Sequence, residues 1–535
     1  MRERAIGEDF EMWIEREPVT VCTYTDANAL AMHNATAVQS LDERVTWNEL
    51  HTRTNALARH LQEAGMRRGD RLALLVDSGV PFVELVLAAL KAAISVVPLS
   101  PMQTRDVLAR LINDAEVRAI AASPTHLETA RELAASRGIG RPLTLVDRGE
   151  AEGFHSLESI LRCGDASDLM TWPAPEDEFN VIYSSGTTGL PKGIVHTHES
   201  RLFNALGWGY RYQITRGSTM LLTTPPATNA TWVNLIPTLL AGGRLVLLPK
   251  FDANHTLETM EAEGVTHTLL VPTQVKALMD VPDLERFDLS KLSCVVVGGS
   301  KFSRALKEQA SQRLPDRLHE MYGTTECGST VQYPNELPEK IESVGRPIFG
   351  AEFRVIDDDG HELPQSERGE LVVRGTTMMK GYLNRPEANA DIIWRDHRGR
   401  IFIRTGDVGR LDADGCVYVL DRKRDMIVTG GFNVFASDLE DVLREHRSVD
   451  DVAVVAAPHA KWGETPVALV IPAPGIVLDA EDLRAWANAQ LGKYQRLGAV
   501  VVRRTPFPRN HLEKVLKRQL QSEYADEFSR LFPGS

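Results

Sequence analysis

One stretch in the first half of the chain sets hydroxyls and glycines ahead of a lysine: Tyr183-Ser184-Ser185-Gly186-Thr187-Thr188-Gly189-Leu190-Pro191-Lys192-Gly193. Glycines let the backbone turn until successive N–H groups converge. Hydroxyls add donors, and Lys192 adds a mobile positive charge. Such a cradle suits phosphate. The spacing is not the G-x-x-x-x-G-K-[ST] of the common nucleotide loop. A flexible turn is the plainer account, but the lysine and the apolar run before the loop favour phosphate handling. A second segment is Met321-Tyr322-Gly323-Thr324-Thr325-Glu326. Its aromatic ring can stack on a base, and its glycine admits a ligand to the backbone. Its hydroxyls and carboxylate can meet phosphate and magnesium, a cation that takes one or two carboxylates plus phosphate and water. Alone, it is equally a Tyr-Gly turn with a solvated glutamate.

A third segment, Arg404-Thr405-Gly406-Asp407, precedes Asp414-Gly415 and Asp421-Arg422. A carboxylate at a strand end suits a ribose diol, because its oxygens accept two hydroxyl hydrogens. A β-turn aspartate is the bland alternative. The fourth is Pro508-Arg509-Asn510-His511-Leu512-Glu513-Lys514-Val515-Leu516-Lys517. Nothing local distinguishes Lys514 from a solvated lysine.

The elements that must position these residues follow from periodicity. Residues 47–63 and 80–93 read as helices, and 71–76 and 95–99 as strands. Residues 219–224, 233–241 and 244–248 read as strand, helix, strand, and 267–271 and 294–297 as further short strands. This alternation between about 40 and 350 predicts a largely parallel sheet covered by helices. After 350 the pattern changes to short strands at 352–356, 370–374, 401–404 and 416–420. Turn chemistry such as Asp357-Asp358-Asp359-Gly360 separates them. That predicts a small β-barrel or antiparallel subdomain. Strands at 451–456, 467–471 and 499–502 with a helix at 480–491 predict a separate α+β domain. The charged run Asp421-Arg422-Lys423-Arg424-Asp425 is the expected linker. The fold class is therefore α/β. A large N-terminal domain, 1–423, is built of stacked α/β subdomains and the small β-barrel, and a small mobile α+β domain, 424–535, follows.

The 535 residues are 43% hydrophobic and 25% charged, with a net charge of −13. Several domains are required at this length, and an acidic balance argues against nucleic-acid or anionic-membrane partners. The five cysteines form no C-x-x-C pair, which argues against a zinc knuckle and fits a reducing compartment. The apolar stretch 81–99 contains Glu84 and Lys91, so a buried helix and strand are expected rather than a membrane span. The opening MRERAIGEDFEMW has no apolar signal core. A cytoplasmic location is the expectation.

In combination and in order, the four segments resemble the acyl-adenylate-forming superfamily of acyl-CoA synthetases, luciferases and peptide-synthetase adenylation domains. The similarity runs from about residue 45 to about 520. It extends to Gly298-Gly299-Ser300, Ser343-Val344-Gly345-Arg346-Pro347, Lys380-Gly381-Tyr382 and Gly430-Gly431-Phe432-Asn433-Val434. The resemblance implies ATP, Mg²⁺ and coenzyme A as co-substrates. It implies that Ser184, Ser185, Gly186, Thr187, Thr188, Gly189 and Lys192 hold the triphosphate. Gly299, Ser300, Tyr322, Gly323, Thr324 and Thr325 would surround the nucleotide, with Asp407 and Arg422 at the ribose. Lys514, Thr187 and Glu326 would be catalytic, Glu326 also placing the metal. Arg424 matches the family's hinge, and Gly430 and Gly431 would line a thiol tunnel. Thr228, Asn229, Trp232, Gly298, Gly323 and Gly328 would border the acid.

Three departures stand out. Glu513 precedes Lys514 where the family usually has glycine, Asp421 replaces a glycine before Arg422, and the acid segment reads Thr224-Pro225-Pro226-Ala227-Thr228-Asn229-Ala230-Thr231-Trp232. Amino-acid activators place an aspartate there, and none stands between 217 and 250. Asn229 matches an asparagine of aryl-acid activators, but it could equally cap a helix. Trp232 could line an apolar pocket or belong to the core. Aryl, alicyclic and medium- or long-chain fatty acids remain open. So do a carrier-protein acceptor, a luciferase-like oxygenase, a decayed nucleotide-binding relative with Glu513 in its favour, and a homodimer.

Overall fold

The computed structural model describes residues 18–40, 43–140, 143–167, 169, 172–184, 191–430, 432–509 and 514–533. Two large sheets form the N-terminal body. The eight-stranded sheet runs, in spatial order, Gly381–Tyr382, Gly193–Thr197, Glu178–Tyr183, Ser95–Pro98, Arg71–Leu75, Ala119–Ala122, Thr144–Val146 and His155–Ser156. The strands from Glu178–Tyr183 to His155–Ser156 are parallel, whereas Gly193–Thr197 returns antiparallel to Glu178–Tyr183. The nine-stranded sheet has Thr219–Leu222, His267–Leu270, Cys294–Val297 and Leu318–Gly323 parallel at its centre. Ser329–Gln332 pairs antiparallel with Leu318–Gly323.

Local chemistry explains the elements. Helix Trp47–Glu63 starts where Thr46 accepts from the Glu49 N–H and Glu49 accepts from the Thr46 N–H, a reciprocal cap. Helix Val80–Lys91 is buried along its whole length and packs in the core that serves both sheets. Its two charges are satisfied there. Arg53 meets Glu84 at 3.0 Å, and Lys91 meets Asp26 at 2.8 Å and donates to Asn55 at 2.7 Å. This accounts for the interrupted apolar stretch 81–99. Among the described residues, no helix is long and apolar enough to cross a membrane.

The antiparallel subdomain expected after residue 350 pairs Ala351–Ile356, Gly369–Gly375, Ile401–Leu411 and Ile393–Arg395 in that order, with Val417–Arg422 also on the long Ile401–Leu411 strand. A 3₁₀ turn, Lys423–Asp425, then leads to Ile427–Thr429, a strand of the C-terminal sheet. That sheet orders Phe432–Val434, Ile427–Thr429, Gly463–Pro472 and Val449–His459, with Ala499–Val502 parallel to Gly463–Pro472. Strand alternation gives it two faces. Val452, Val454, Ala468 and Val470 pack with Leu439, Leu443 and Leu483, and Ala453, Val455, Val467 and Leu469 pack with Leu520 and Phe528. The molecule is thus a large N-terminal domain with a small C-terminal one.

Candidate active site

The phosphate-loop candidate lies in sequence between the antiparallel strands Glu178–Tyr183 and Gly193–Thr197. Tyr183 pairs with Gly193 at the end of the antiparallel ladder, and the Ser184 N–H donates to the Lys192 carbonyl at 3.1 Å, closing the neck. Ser185, Gly186, Thr187, Thr188 and Gly189 lie outside the described residues. The neck is firmly set. The Tyr183 hydroxyl donates to Asp114 at 2.9 Å, and Asp114 also meets Arg385 at 2.8 Å. Beyond the loop, the Lys192 amine stands over the Tyr382 ring, 4.7 Å from its centre, and the Tyr382 hydroxyl donates to Glu326 Oε1 at 2.8 Å. Tyr382 thereby joins the lysine of one motif to the carboxylate of another. The Lys380-Gly381-Tyr382 pattern was visible in the sequence, but this connecting role was not.

The second motif ends strand Leu318–Gly323 and turns back into Ser329–Gln332. Its glycines are demanded by proximity. A Cβ on Gly298 would lie 2.4 Å from Met321 Cγ, so the 298–300 turn rests directly on the Tyr322 segment. Gly328 has φ +61°, and a Cβ there would lie 2.3 Å from Val373 Cγ2. Thr324 Oγ1 accepts from the Cys327 N–H at 3.1 Å, which fixes the turn. The Thr325 carbonyl faces His196 Nε2 at 2.9 Å. Burial holds His196 far below the ordinary histidine range, and the positive charge of Arg201 adds to this. His196 is therefore a neutral ring that ties the two sheets together, a link that spacing alone did not reveal.

Tyr322 reaches the third motif. Its hydroxyl donates to Asp407 Oδ2 at 2.6 Å, and Arg422 Nε lies 3.3 Å from Asp407 Oδ1. Burial and the neighbouring carboxylate push the Tyr322 hydroxyl well above its usual range. A cavity of about 300 Å³ opens beside this cluster, lined by Thr405, Gly406, Arg422, Lys423 and Arg424. The fourth motif arrives at the same place. An antiparallel bridge between Arg509 and Val515 closes the base of a loop, and Lys514 projects from it into the field of Arg422, Asp407, Asp425 and Arg424. Burial first, then Arg422, push its ammonium down to about 8, against the pull of Asp407 and Asp425. Residues 510–513, including Glu513, lie outside the described residues.

Asp421, the second departure, fastens the small domain. Its Oδ2 accepts from the Ser437 N–H at 3.0 Å, and the Ser437 hydroxyl donates to the Leu420 carbonyl at 2.7 Å. Lys301, just past the 298–300 turn, meets Asp441 of helix Ala436–Arg444 at 2.6 Å. Gly430 has φ +57° and lies against the exposed Trp462 ring, which a Cβ would touch at 2.8 Å, and Gly431 lies outside the described residues.

The acid segment differs from expectation. The helix begins at Asn229, ahead of the 233–241 pattern and one residue before the start near Ala230 that a capping Asn229 would need, with Thr228 at the capping position. Asn229 is the first helical residue, and its Oδ1 accepts from Arg201 Nη1 at 2.9 Å, so it does not cap the helix. Trp232 is a core side chain. It is wholly buried, with its edge to Phe82 and Phe179, and its indole N–H donates to the Pro226 carbonyl at 3.0 Å. Thr228 is buried too, donating to the Pro225 carbonyl. Asn229 is the partly exposed member of the three.

Side chains of the second, third and fourth motifs thus meet around Asp407, and comparison with known proteins places the chain in a family. The family described as AMP-binding enzyme matches residues 25–383, and its C-terminal domain matches residues 438–514. The chain belongs to the AMP-binding enzyme family. A feruloyl-CoA synthase of Amycolatopsis sp is 33% identical over 467 residues, 86% of this chain and 90% of the relative. A long-chain-fatty-acid–CoA ligase of Mycobacterium tuberculosis is 30% identical over 492 residues, 91% of this chain and 94% of the relative. ATP-bound MatB from Rhodopseudomonas palustris superposes with a TM-score of 0.86 at 26% identity, covering 95% of this chain and 100% of that one.

Proposed function

We propose that this AMP-binding enzyme condenses a carboxylic acid with ATP, releasing pyrophosphate, and passes the acyl group from the resulting adenylate to the thiol of coenzyme A. The observation that carries it is the convergence of Tyr322, Asp407, Arg422 and Lys514 beside one cavity. The CoA ligases among its relatives support the overall reaction, and ATP-bound MatB supports the nucleotide. The protein is an AMP-forming acid–thiol ligase, with ATP, Mg²⁺ and coenzyme A as co-substrates.

A carboxylate is a poor acyl donor because its leaving group would be oxide. Attack of its oxygen on the α-phosphorus, with loss of pyrophosphate, turns that oxygen into part of AMP. Positioning and charge neutralisation dominate such a step. Asp407 and Arg422 hold the ribose end, Tyr322 offers its face to adenine, and Lys192 meets the triphosphate. The Lys514 ammonium neutralises charge that builds as the bonds exchange. Glu326 fits magnesium: Tyr382 engages one oxygen, and the remaining coordination is left to phosphate and water. The cation would screen the triphosphate. The second step is thiolate attack on the acyl carbonyl, expelling AMP. A thiol titrates at about 8.5, so only a minority is ionised at neutral pH, and the mixed anhydride must be kept from water.

The Lys423–Asp425 turn between the antiparallel subdomain and the C-terminal sheet supports a domain junction at 423/424. Rotation there would exchange Lys514 for the Gly430-Gly431 loop at one reaction centre. Free buried thiols at Cys22, Cys294, Cys327 and Cys416 fit the cytoplasm. Feruloyl- and long-chain-fatty-acid–CoA ligases stand at similar identity, which leaves aryl and fatty acids as candidates.

The test is AMP release across a panel of aryl, alicyclic and fatty acids, with and without coenzyme A. Release that needs acid and is accelerated by coenzyme A is expected. Acid-dependent pyrophosphate exchange without any coenzyme A effect would point to a carrier protein as acceptor. No exchange with any acid would sink the reading.

A further inference from the structure

Arg201 lies on helix His198–Tyr212, on the same buried stripe as Ala205, Trp208 and Tyr212. Only 1% of it is exposed. Among the described residues, no carboxylate comes within ion-pair distance of it. Its partners are neutral: Nε and Nη2 donate to Asn180 Oδ1 at 3.2 and 3.0 Å, and Nη1 donates to Asn229 Oδ1 at 2.9 Å. Desolvation alone pulls its proton affinity down to about 9. A sealed cation without a counter-charge is costly, and helix packing would be better served by an aliphatic residue.

What the cation does is set by geometry. A guanidinium has five N–H donors and no acceptor. Asn229 can therefore meet it only through Oδ1, which turns both Nδ2 hydrogens away from Arg201. Asn229 is partly exposed, at the first turn of helix Asn229–Ala241, while Arg201 is closed off. Arg201 also acts electrostatically on His196, whose ring meets the Thr325 carbonyl. The guanidinium thus bonds to the 225–229 segment and acts on the ring that meets the Thr325 carbonyl.

Resting on the acid-activating function above, we propose that Arg201 is a positioning residue for substrate choice. It locks the Asn229 amide with its donors turned away from the buried cation and available to the acid, so the enzyme takes acids that carry an oxygen acceptor at that end, such as a carbonyl, an ether or a second carboxylate. Hydrocarbon acids of the same size are disfavoured, because the oriented N–H groups would be left unpaired.

The test uses full-length protein and acid pairs matched in size, one bearing such an oxygen and the other a methylene in its place. Acid-dependent pyrophosphate exchange gives kcat and KM for each acid and KM for ATP. The wild type should favour the oxygen-bearing acid by roughly tenfold or more in kcat/KM. Arg201→Leu should bring that ratio close to one through KM for the acid, leaving KM for ATP unchanged, and Arg201→Lys should retain part of it. Asn229→Asp replaces donors with a carboxylate and should reverse the preference. It also pairs the buried cation, so it decides the matter if Arg201→Leu fails to melt cooperatively. An active wild type without the preference, a preference that survives both Arg201→Leu and Asn229→Asp, or an equal loss for both acids and for ATP overturns the role of Arg201 alone. A wild type that exchanges with no acid overturns the proposed function together with it.

Discussion

The Tyr322 hydroxyl donates to Asp407 at 2.6 Å, joining a strand end of the nine-stranded sheet to the interior of strand Ile401–Leu411, where the sequence pattern places the aspartate at a strand end. Asp407 is only 4% exposed and also faces Arg422. Removing the carboxylate strands a buried hydroxyl and a guanidinium, whereas removing the hydroxyl loses one hydrogen bond to a charged group. That bond is worth about 1.5–3 kcal/mol. Asp407→Ala should raise KM for ATP by roughly 10²-fold and Tyr322→Phe by roughly tenfold. ATP titration at saturating acid checks both, and an unchanged KM in Asp407→Ala would remove the ribose from this site.

Lys514 loses its proton near pH 8, below the ordinary lysine value, because burial and Arg422 disfavour the ammonium. Adenylation that needs the charged form should fall as pH rises through that value and be level below it. Lys514→Ala should cost about 10²–10³-fold in pyrophosphate exchange, with little loss in thiol transfer from a supplied acyl-adenylate. Lys514→Arg should move the alkaline limb upward, since arginine stays protonated. An alkaline limb unchanged in Lys514→Arg would assign that titration to another group.

Tyr382 holds Glu326 by its hydroxyl and Lys192 by its ring. Tyr382→Phe keeps the ring and frees the carboxylate, so the magnesium concentration for half-maximal exchange should shift by roughly tenfold. Tyr382→Leu also removes the cation–π contact, about 0.5–1 kcal/mol, and should raise KM for ATP further. Magnesium titrations of exchange that superimpose for all three proteins would leave Tyr382 with packing alone.

The pose that brings Lys514 to Asp407 is held by Asp421 on Ser437 and by Lys301 on Asp441. The second pair is exposed and worth about 0.2–1 kcal/mol, so Lys301→Ala should cost less than about fivefold. Asp421→Ala should slow adenylation more than thiol transfer, because it loosens only this pose. Arg424→Pro, which stiffens the turn itself, should do the opposite. Single-turnover measurements of each half-reaction separate the cases, and equal losses in both steps would argue against a rotating lid.

Sequence patterns reached the elements whose signals are local. Helix Trp47–Glu63 was legible from its periodicity, with which the Thr46–Glu49 cap agrees, and strand Ala499–Val502 was legible as a short apolar run. The helix beginning at Asn229 was placed late, since two prolines and a threonine-rich run hide its first turn. The four chemical motifs were readable as types, but not their meeting. Nothing in the spacing says that residue 322 touches residue 407, or that Tyr382 stands between Lys192 and Glu326. Arg201 was hidden for a similar reason. A charged residue on an apolar stripe becomes informative only when tertiary packing shows that no carboxylate accompanies it.

His196, an uncharged ring between the lysine-loop hairpin and the Thr325 carbonyl, has a further consequence. On the proposed function each sheet supplies only part of the nucleotide's surroundings, and the contacts that complete them exist only after the two halves have docked. A fragment ending before residue 290 would keep the lysine hairpin yet have nothing to clasp a base. Nucleotide affinity should therefore emerge late in refolding, as a property of the assembled body, and any loosening of the seam between the sheets should be felt as weaker ATP before it is felt as lost helix or strand.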